Sequence, residues 1–240
     1  MIGCGGIALP VLQAVADGRV PGWVVASVLA REHRPVGAGE LACATDIEQF
    51  LAGRPDIIIE AAGPAALAAH GSRALGAADV WTVNGSALAD ARLYADLQEA
   101  GRRSGHRLRL VAGAIAGLDG VAMASVDPQA NLQIDLDLPP GEGRAGGRFS
   151  GTVRDGAALF PDGVNVAVAA ALAGPGLDAA RLTVSRRQAR HRLALQASSR
   201  YVVVRAEVEI RPDAGSAGLH PVAACLIACL RQETQTIWAG

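Results

Sequence analysis

The first eight residues constrain the chain most. Met1-Ile2-Gly3-Cys4-Gly5-Gly6-Ile7-Ala8 reads as the end of a strand, a glycine turn and the start of a helix. The spacing is G-x-G-x-x-A, with Gly3, Gly5 and Ala8 at the small positions. The first glycine makes a tight turn. The second, lacking a side chain, lets a pyrophosphate approach the backbone. The third small residue lets helix and strand pack closely. Amides at the start of that helix, with its dipole behind them, favour an anion. The expectation is a dinucleotide site on Gly3, Cys4, Gly5, Gly6 and Ile7. Such a motif gains meaning only from its context, because a chain with 29 glycines makes this spacing by chance.

The context agrees. Helical and apolar segments alternate over the first half: Ala8–Asp17 reads as a helix, Trp23–Leu29 as a buried strand, and Asp46–Ala52 as a short helix capped near Thr45. Pro55–Ala62 and Val80–Val83 read as strands, Ala65–Gly76 and Leu88–Ser104 as helices, and Arg107–Val111 as a further strand. This is the pattern of an α/β, Rossmann-type doubly wound parallel sheet. Ligands of such sheets lie beyond the carboxyl ends of the strands. Ala62 and Gly63, Asn84, and the small residues around Ala114 are therefore expected to border the cofactor. The second strand ends in Ala30-Arg31-Glu32. Glu32 suits ribose hydroxyls and Arg31 suits a 2′-phosphate, so both NAD and NADP are expected cofactors. Only Met1 and Ile2 precede the glycines, whereas strands average about five or six residues. Weakened stability or cofactor binding is the expectation; a longer chain no more stable and no tighter in binding would contradict it.

The character changes after residue 118. Asn131–Leu138 alternates apolar and polar residues strictly, the mark of a half-buried antiparallel strand. Pro139–Gly147 reads as a glycine-rich loop. Arg148–Val153, Leu182–Ser185, Arg192–Gln196 and Tyr201–Ile210 read as strands, and Asn165–Ala173 as a compact helix. The expected organisation is a dinucleotide-binding domain over 1–118, an α+β domain with a mixed or antiparallel sheet over 119–214, and a final helical segment, 215–240, returning to the first domain.

Composition narrows function. A net charge of −1 argues against nucleic acid as a partner. There is no Lys among the 22 basic residues, which removes Schiff-base chemistry. Cys4, Cys43, Cys225 and Cys229 fit no zinc pattern and read as buried reduced thiols; no metal is expected. No apolar run is long enough to span a membrane and no leader precedes the glycine turn, so a cytoplasmic protein is expected.

Taken together, the segments resemble the L-aspartate dehydrogenase family. The resemblance rests on I-G-C-G-G-I-A, D-I-I-I-E-A-A-G-P (Asp56–Pro64), V-N-G-S-A-L-A-D (Val83–Asp90), V-A-G-A-I-A-G-L-D (Val111–Asp119), F-P-D-G-V-N-V-A-V-A-A-A-L-A-G (Phe160–Gly174) and His191. It implies a homodimer formed through the open face of the second sheet. It implies oxidation of L-aspartate, or a similar small dicarboxylate, by NAD or NADP to iminoaspartate, which feeds NAD biosynthesis or hydrolyses to oxaloacetate and ammonia. It places Ala114 and Asn165 on the cofactor and makes His191 the catalytic acid/base. Histidine suits the role, since it titrates near neutral pH and hydride removal needs a neutral amine. His33 and His106 lie in charged loops, His70 on a helix and His220 at a helix start.

Two stretches depart from the family. Ala189 replaces an Asn, and Gly215-Ser216-Ala217-Gly218-Leu219 replaces an N-P-K-T-S-like segment. Arg187, Arg190 and Arg192 are candidate replacements for a carboxylate anchor, as Arg binds carboxylates bidentately. The competing readings are a dehydrogenase for another small carboxylate and a dinucleotide-binding member without turnover.

Overall fold

The computed structural model describes residues 1–32, 43–111, 113–139, 148–186, 191–211 and 219–237. Contacts divide the chain into two compact units. One comprises Met1–Asn84, Asp90–Val111 and Gly218–Gly240; the other comprises Gly85–Ala89 and Ala112–Ala217.

The first unit is a parallel sheet with helices. Helix α1 spans Ala8–Ala16, and strands β1 (Val28–Leu29) and β2 (Cys43–Ala44) pair in parallel. Helix α2 (Ile47–Leu51), strand β3 (Ile57–Glu60), helix α3 (Pro64–Leu75), strand β4 (Asp79–Thr82), helix α4 (Ala91–Ser104) and strand β5 (Leu108–Leu110) follow. β3, β4 and β5 are parallel neighbours. The central strand is a single residue: Ile2 bridges Leu29 on one side and Glu60 on the other, both in parallel.

That brevity corrects the expected strand over Trp23–Leu29, of which only Val28–Leu29 is strand. A strand exists only where a neighbour satisfies its backbone. Met1 and Ile2 reach far enough to serve Leu29 and Gly3, and the Met1 amine donates to the Ser27 carbonyl at 3.0 Å. Val24, one position beyond Trp23, is 88% exposed. The Trp23 indole instead donates to the Leu230 carbonyl at 2.9 Å. An apolar cavity of about 100 Å³ lies beside Met1, bordered by Val25, Pro55 and Ile57.

Caps explain two further shifts. Asp46, not Thr45, caps α2 by accepting from the Gln49 amide. The helix expected from Leu88 is broken: Gly85–Ala89 is a 3-10 turn, and α4 starts at Ala91 because the Asp90 carboxylate accepts from the Arg92 and Leu93 amides. Gly105, at φ 79°, ends α4 in the left-handed conformation that glycine adopts without cost.

The second unit is a five-stranded sheet with helices on one face. Its elements are α5 (Leu118–Ala124), β6 (Asn131–Asp137), β7 (Phe149–Thr152), α6 (Val153–Leu159), α7 (Asn165–Ala173), β8 (Arg181–Ser185), β9 (His191–Ser198) and β10 (Val203–Ile210). The strand order is β10-β9-β6-β8-β7, with only β6 and β8 parallel. Alternation does what it predicts. Leu132, Ile134 and Leu136 of β6, Leu182 and Val184 of β8, and Leu193 and Leu195 of β9 form the buried face. Gln133, Asp135, Gln196, Arg205 and Glu207 line the other, where a shallow hollow opens. α5 packs on β9 and β10, α6 on β7 and β8, and α7 on α5 and α6.

The sequence pattern shows neither α5 nor α6. Each is one or two turns long, too short for a helical period to emerge. α6 displaces the expected end of β7: the Thr152 hydroxyl accepts from the Asp155 amide, so Val153 begins a helix. Behind α5, the buried Asp127 carboxylate accepts from the Gln129 amide and from the Arg200 backbone and guanidinium. The Arg200 bonds, then that amide, hold its carboxyl at about 2.

The last helix, α8 (Pro221–Glu233), belongs to the first unit and packs on α1. Its Ala223, Leu226, Ile227 and Leu230 join Val11, Ile59 and Trp81 in one core. All four cysteines are free, but only Cys43 is buried; Cys4, Cys225 and Cys229 are half-buried. A bond from Cys225, and then the Arg109 charge, lower the Cys229 thiol to about 7.

Candidate active site

In the first unit the glycine turn is built as its spacing requires. Gly3 has φ 103°, and a Cβ there would lie 3.0 Å from the Ala62 Cβ and 3.1 Å from the Ala61 carbonyl oxygen. Only glycine fits. At Gly5 and Gly6 a Cβ would meet nothing within 4 Å, so their surfaces are open to a ligand. α1 starts after Ile7 with no side-chain cap and no acid in its first turn. Its leading amides are thus unclaimed by side chains and suit a pyrophosphate. Gly3, Cys4, Gly5, Arg31, Glu32 and Ala62 border one cleft of about 700 Å³, with His70 on its α3 wall. A dinucleotide fits these residues: open glycines, an uncapped helix end, and both a cation and an anion at the ribose position.

Gly6, Ile7, Gly63 and Asn84 stand behind this lining. Ile7 packs its side chain against the core, so any role in binding falls to its backbone. Gly63, at φ 111°, caps α3. Asn84 is buried in a network around Glu60, a residue the sequence pattern does not single out. Glu60 is 1% exposed. One carboxylate oxygen accepts from the Ala62 amide at 2.8 Å and the Gly63 amide at 3.2 Å. The other accepts from the Thr82 hydroxyl at 2.6 Å and the Asn84 side-chain amide at 2.8 Å. The Thr82 hydroxyl in turn accepts from the Asn84 backbone at 3.0 Å. Four donors on one buried carboxylate fasten the ends of β3 and β4 together. Glu60 also fills the N-terminus of α3, leaving that of α1 for a ligand's anion. Its signal in the sequence is an acid closing an apolar run, D-I-I-I-E.

In the second unit the Asn165 carbonyl oxygen accepts from the Ser86 backbone and hydroxyl, each at 2.9 Å. The Ser86 hydroxyl also meets the Pro161 carbonyl. Residues 79 positions apart are thus joined, which no local pattern reveals. Ala114, half-buried, sits in a turn between Gly113 (φ 66°) and Gly117 (φ 82°). His191 is the first residue of β9, opposite Ile210 of β10. By alternation with Leu193 and Leu195 it lies on the helix-covered face.

Arg192 therefore lies on the opposite face, and its guanidinium holds Glu207 through two bonds of 2.7 and 2.8 Å. This argues against Arg192 as a carboxylate anchor for chemistry at His191. Arg187, Ala189 and Arg190, and residues 215–218 of the substituted stretch, lie outside the described residues. Among the described residues no cluster of three or more His, Cys, Asp or Glu could hold a metal.

Comparison with known proteins places this geometry. The NAD-binding domain family of homoserine dehydrogenase matches residues 3–111, and the C-terminal domain family of aspartate dehydrogenase matches residues 110–233. L-Aspartate dehydrogenase of Ruegeria pomeroyi is 38% identical over 192 residues, covering 72% of this chain and 69% of that protein. The crystal structure of aspartate dehydrogenase from Thermotoga maritima matches with TM-score 0.75 at 20% identity, over 100% of this chain and 97% of that one. An engineered D-amino acid dehydrogenase bound to NADP+ matches with TM-score 0.52 at 12% identity, over 96% and 86%. The two structural likenesses speak to the fold, a Rossmann-type sheet followed by a mixed sheet. The sequence matches speak to descent: the chain is an NAD(P)-dependent oxidoreductase and belongs to the L-aspartate dehydrogenase family.

Proposed function

We propose that this chain oxidises L-aspartate at its α carbon, giving iminoaspartate, which water converts to oxaloacetate and ammonia. The nicotinamide of NAD or NADP, when bound, accepts the hydride. Gly3, Cys4, Gly5, Gly6 and Ile7 hold the pyrophosphate, with Ala62, Gly63 and Asn84 beside them. Arg31 takes a 2′-phosphate when NADP is the cofactor. Ala114 and Asn165 position the nicotinamide end. His191 takes the proton that the substrate ammonium must lose before hydride can leave, and imidazole does this near neutral pH.

The observation that carries the reading is the glycine turn. Gly3 is sterically obligatory, Gly5 and Gly6 are open, and α1 lacks a side-chain cap. The family match supplies the substrate. The product imine feeds NAD biosynthesis, in the cytoplasm, from a homodimer formed through the open polar face of the second sheet. Among the described residues no helix is long and apolar enough to cross a membrane, which accords with that setting. The test is formation of reduced nicotinamide from L-aspartate with NAD or NADP, repeated on His191→Ala. Activity retained in full by that variant would remove His191 from the mechanism. A sedimentation mass of a single 24.4 kDa chain would remove the dimer.

A further inference from the structure

A dicarboxylic substrate needs a cation to hold its second carboxylate. In the first of the two sheet ends that could provide one, Arg192 faces away and is engaged by Glu207. The register of the second sheet offers another residue. β6 and β8 run in parallel with Asp137 opposite Ser185. β6 and β9 run antiparallel with Asp137 opposite Arg192. The ladder continues past Asp137, since the Leu138 amide donates to the Ser185 carbonyl at 2.9 Å. One step along, Arg186, Leu138 and His191 stand abreast on three neighbouring strands.

They also share a face. Leu182 and Val184 are buried on β8, and Leu193 and Leu195 on β9, so a period of two puts Arg186 and His191 on the helix-covered side. Leu138 lies between them, fully buried. Strands are about 4.8 Å apart, so the two backbones are roughly 10 Å apart. The Arg186 guanidinium carbon sits 6.0 Å from the centre of the Phe160 ring, itself braced edge-on by Phe149 at 5.9 Å. Phe160 precedes Pro161, where the Ser86 hydroxyl docks. A Cβ on Gly163 would come within 2.9 Å of a Leu138 methyl, which ties the approach to Asn165 to the same end of the sheet. Arg186, Ser86, Asn165 and His191 thus converge from four segments.

We infer that Arg186 binds a carboxylate of the substrate and makes the site selective for dicarboxylic amino acids. This rests on the aspartate reading above. The guanidinium carries five donors in a rigid fork, so its other contacts leave donors for a carboxylate. The distance from His191 lets one residue meet the amine while the other meets the far carboxylate. The neutral amide of L-asparagine would leave the charge without its counterpart, so discrimination between aspartate and asparagine depends on this residue.

The experiment uses the intact chain with NAD present. Arg186→Gln is expected to raise KM for L-aspartate roughly 10- to 100-fold, the usual cost of a lost charged hydrogen bond. KM for NAD should stay within about twofold, and the preference for aspartate over asparagine should collapse. Arg186→Met keeps the stem against Phe160 and should behave alike if the glutamine variant does not fold. Succinate binding, measured by calorimetry, separates this inference from the proposed reaction. Succinate bound by the wild type and lost in the variants supports Arg186, even if L-aspartate is not turned over. Equal succinate affinity in all forms, or none in the wild type, overturns it.

Discussion

The carboxyl edge of the first sheet and the His191 end of the second are built by opposite means. The first is local. Gly3, Gly5 and Gly6 fall within four residues, and Glu60 secures its own neighbours Ala62 and Gly63 before reaching Thr82 and Asn84. The second is assembled from afar, with Ser86, Asn165, Arg186 and His191 brought to one end by strand register and two hydrogen bonds. A site made from one turn is fixed when that turn forms. A site made from four segments exists only when the whole unit is folded. Mutations should therefore separate the two: changes at the glycine turn act on cofactor affinity, and changes at the second end act on turnover and substrate choice.

The largest expected effect is at His191. His191→Ala should lower kcat by about 10²- to 10⁴-fold while leaving dinucleotide affinity unchanged. Steady-state kinetics with a parallel NAD titration checks both halves, and a matching loss of NAD affinity would break the comparison. Next comes a contrast within the turn. Gly3→Val should destabilise the fold by about 1–3 kcal/mol, from strained backbone and the Ala62 contact. Gly5→Val should leave the melting temperature alone and abolish the stabilisation by NAD, because its side chain points into open space.

Glu60→Gln is milder and sharpens the role of the hub. An amide turns one acceptor into a donor, so at least one of four buried donors loses its partner, at a cost of about 1–3 kcal/mol. KM for NAD should rise several-fold with little change in kcat. Denaturation and kinetics together test this; a changed kcat with unchanged KM would place Glu60 outside the cofactor wall.

The smallest effect is one of pH, in the second unit. Asp127 titrates at about 2 when folded, below its ordinary value near 3.9. The folded state therefore favours its charged form. That contribution is complete above about pH 4 and fades as pH falls through the folded value. Asp127→Asn should melt lower than wild type near neutrality, and the gap should narrow in acid. A gap independent of pH would contradict the assignment.

Much of the first unit was legible because its signals are local: the glycine spacing, the apolar runs that become β3 and β4, and the caps near Asp46. What misled was a neighbour's length. Trp23–Leu29 has the composition of a strand, but pairing stops where Ile2 stops. In the second unit, alternation along β6 announced the sheet, while α5 and α6 were too short to show a period. Arg186 and Ser86 carry no signal of their own. Their significance comes from register and from Asn165, which are properties of the folded unit. Family resemblance found Asn165 and His191; only the strand pairing put Arg186 abreast of His191 and Arg192 on the other face.

The central claim is that the two built ends serve one aspartate dehydrogenase. The direct measurement is the absorbance of reduced nicotinamide when the intact protein is mixed with NAD or NADP and L-aspartate. Reduction that depends on L-aspartate, and that His191→Ala loses while still binding dinucleotide, is the predicted result. Dinucleotide that binds without being reduced by L-aspartate would contradict it.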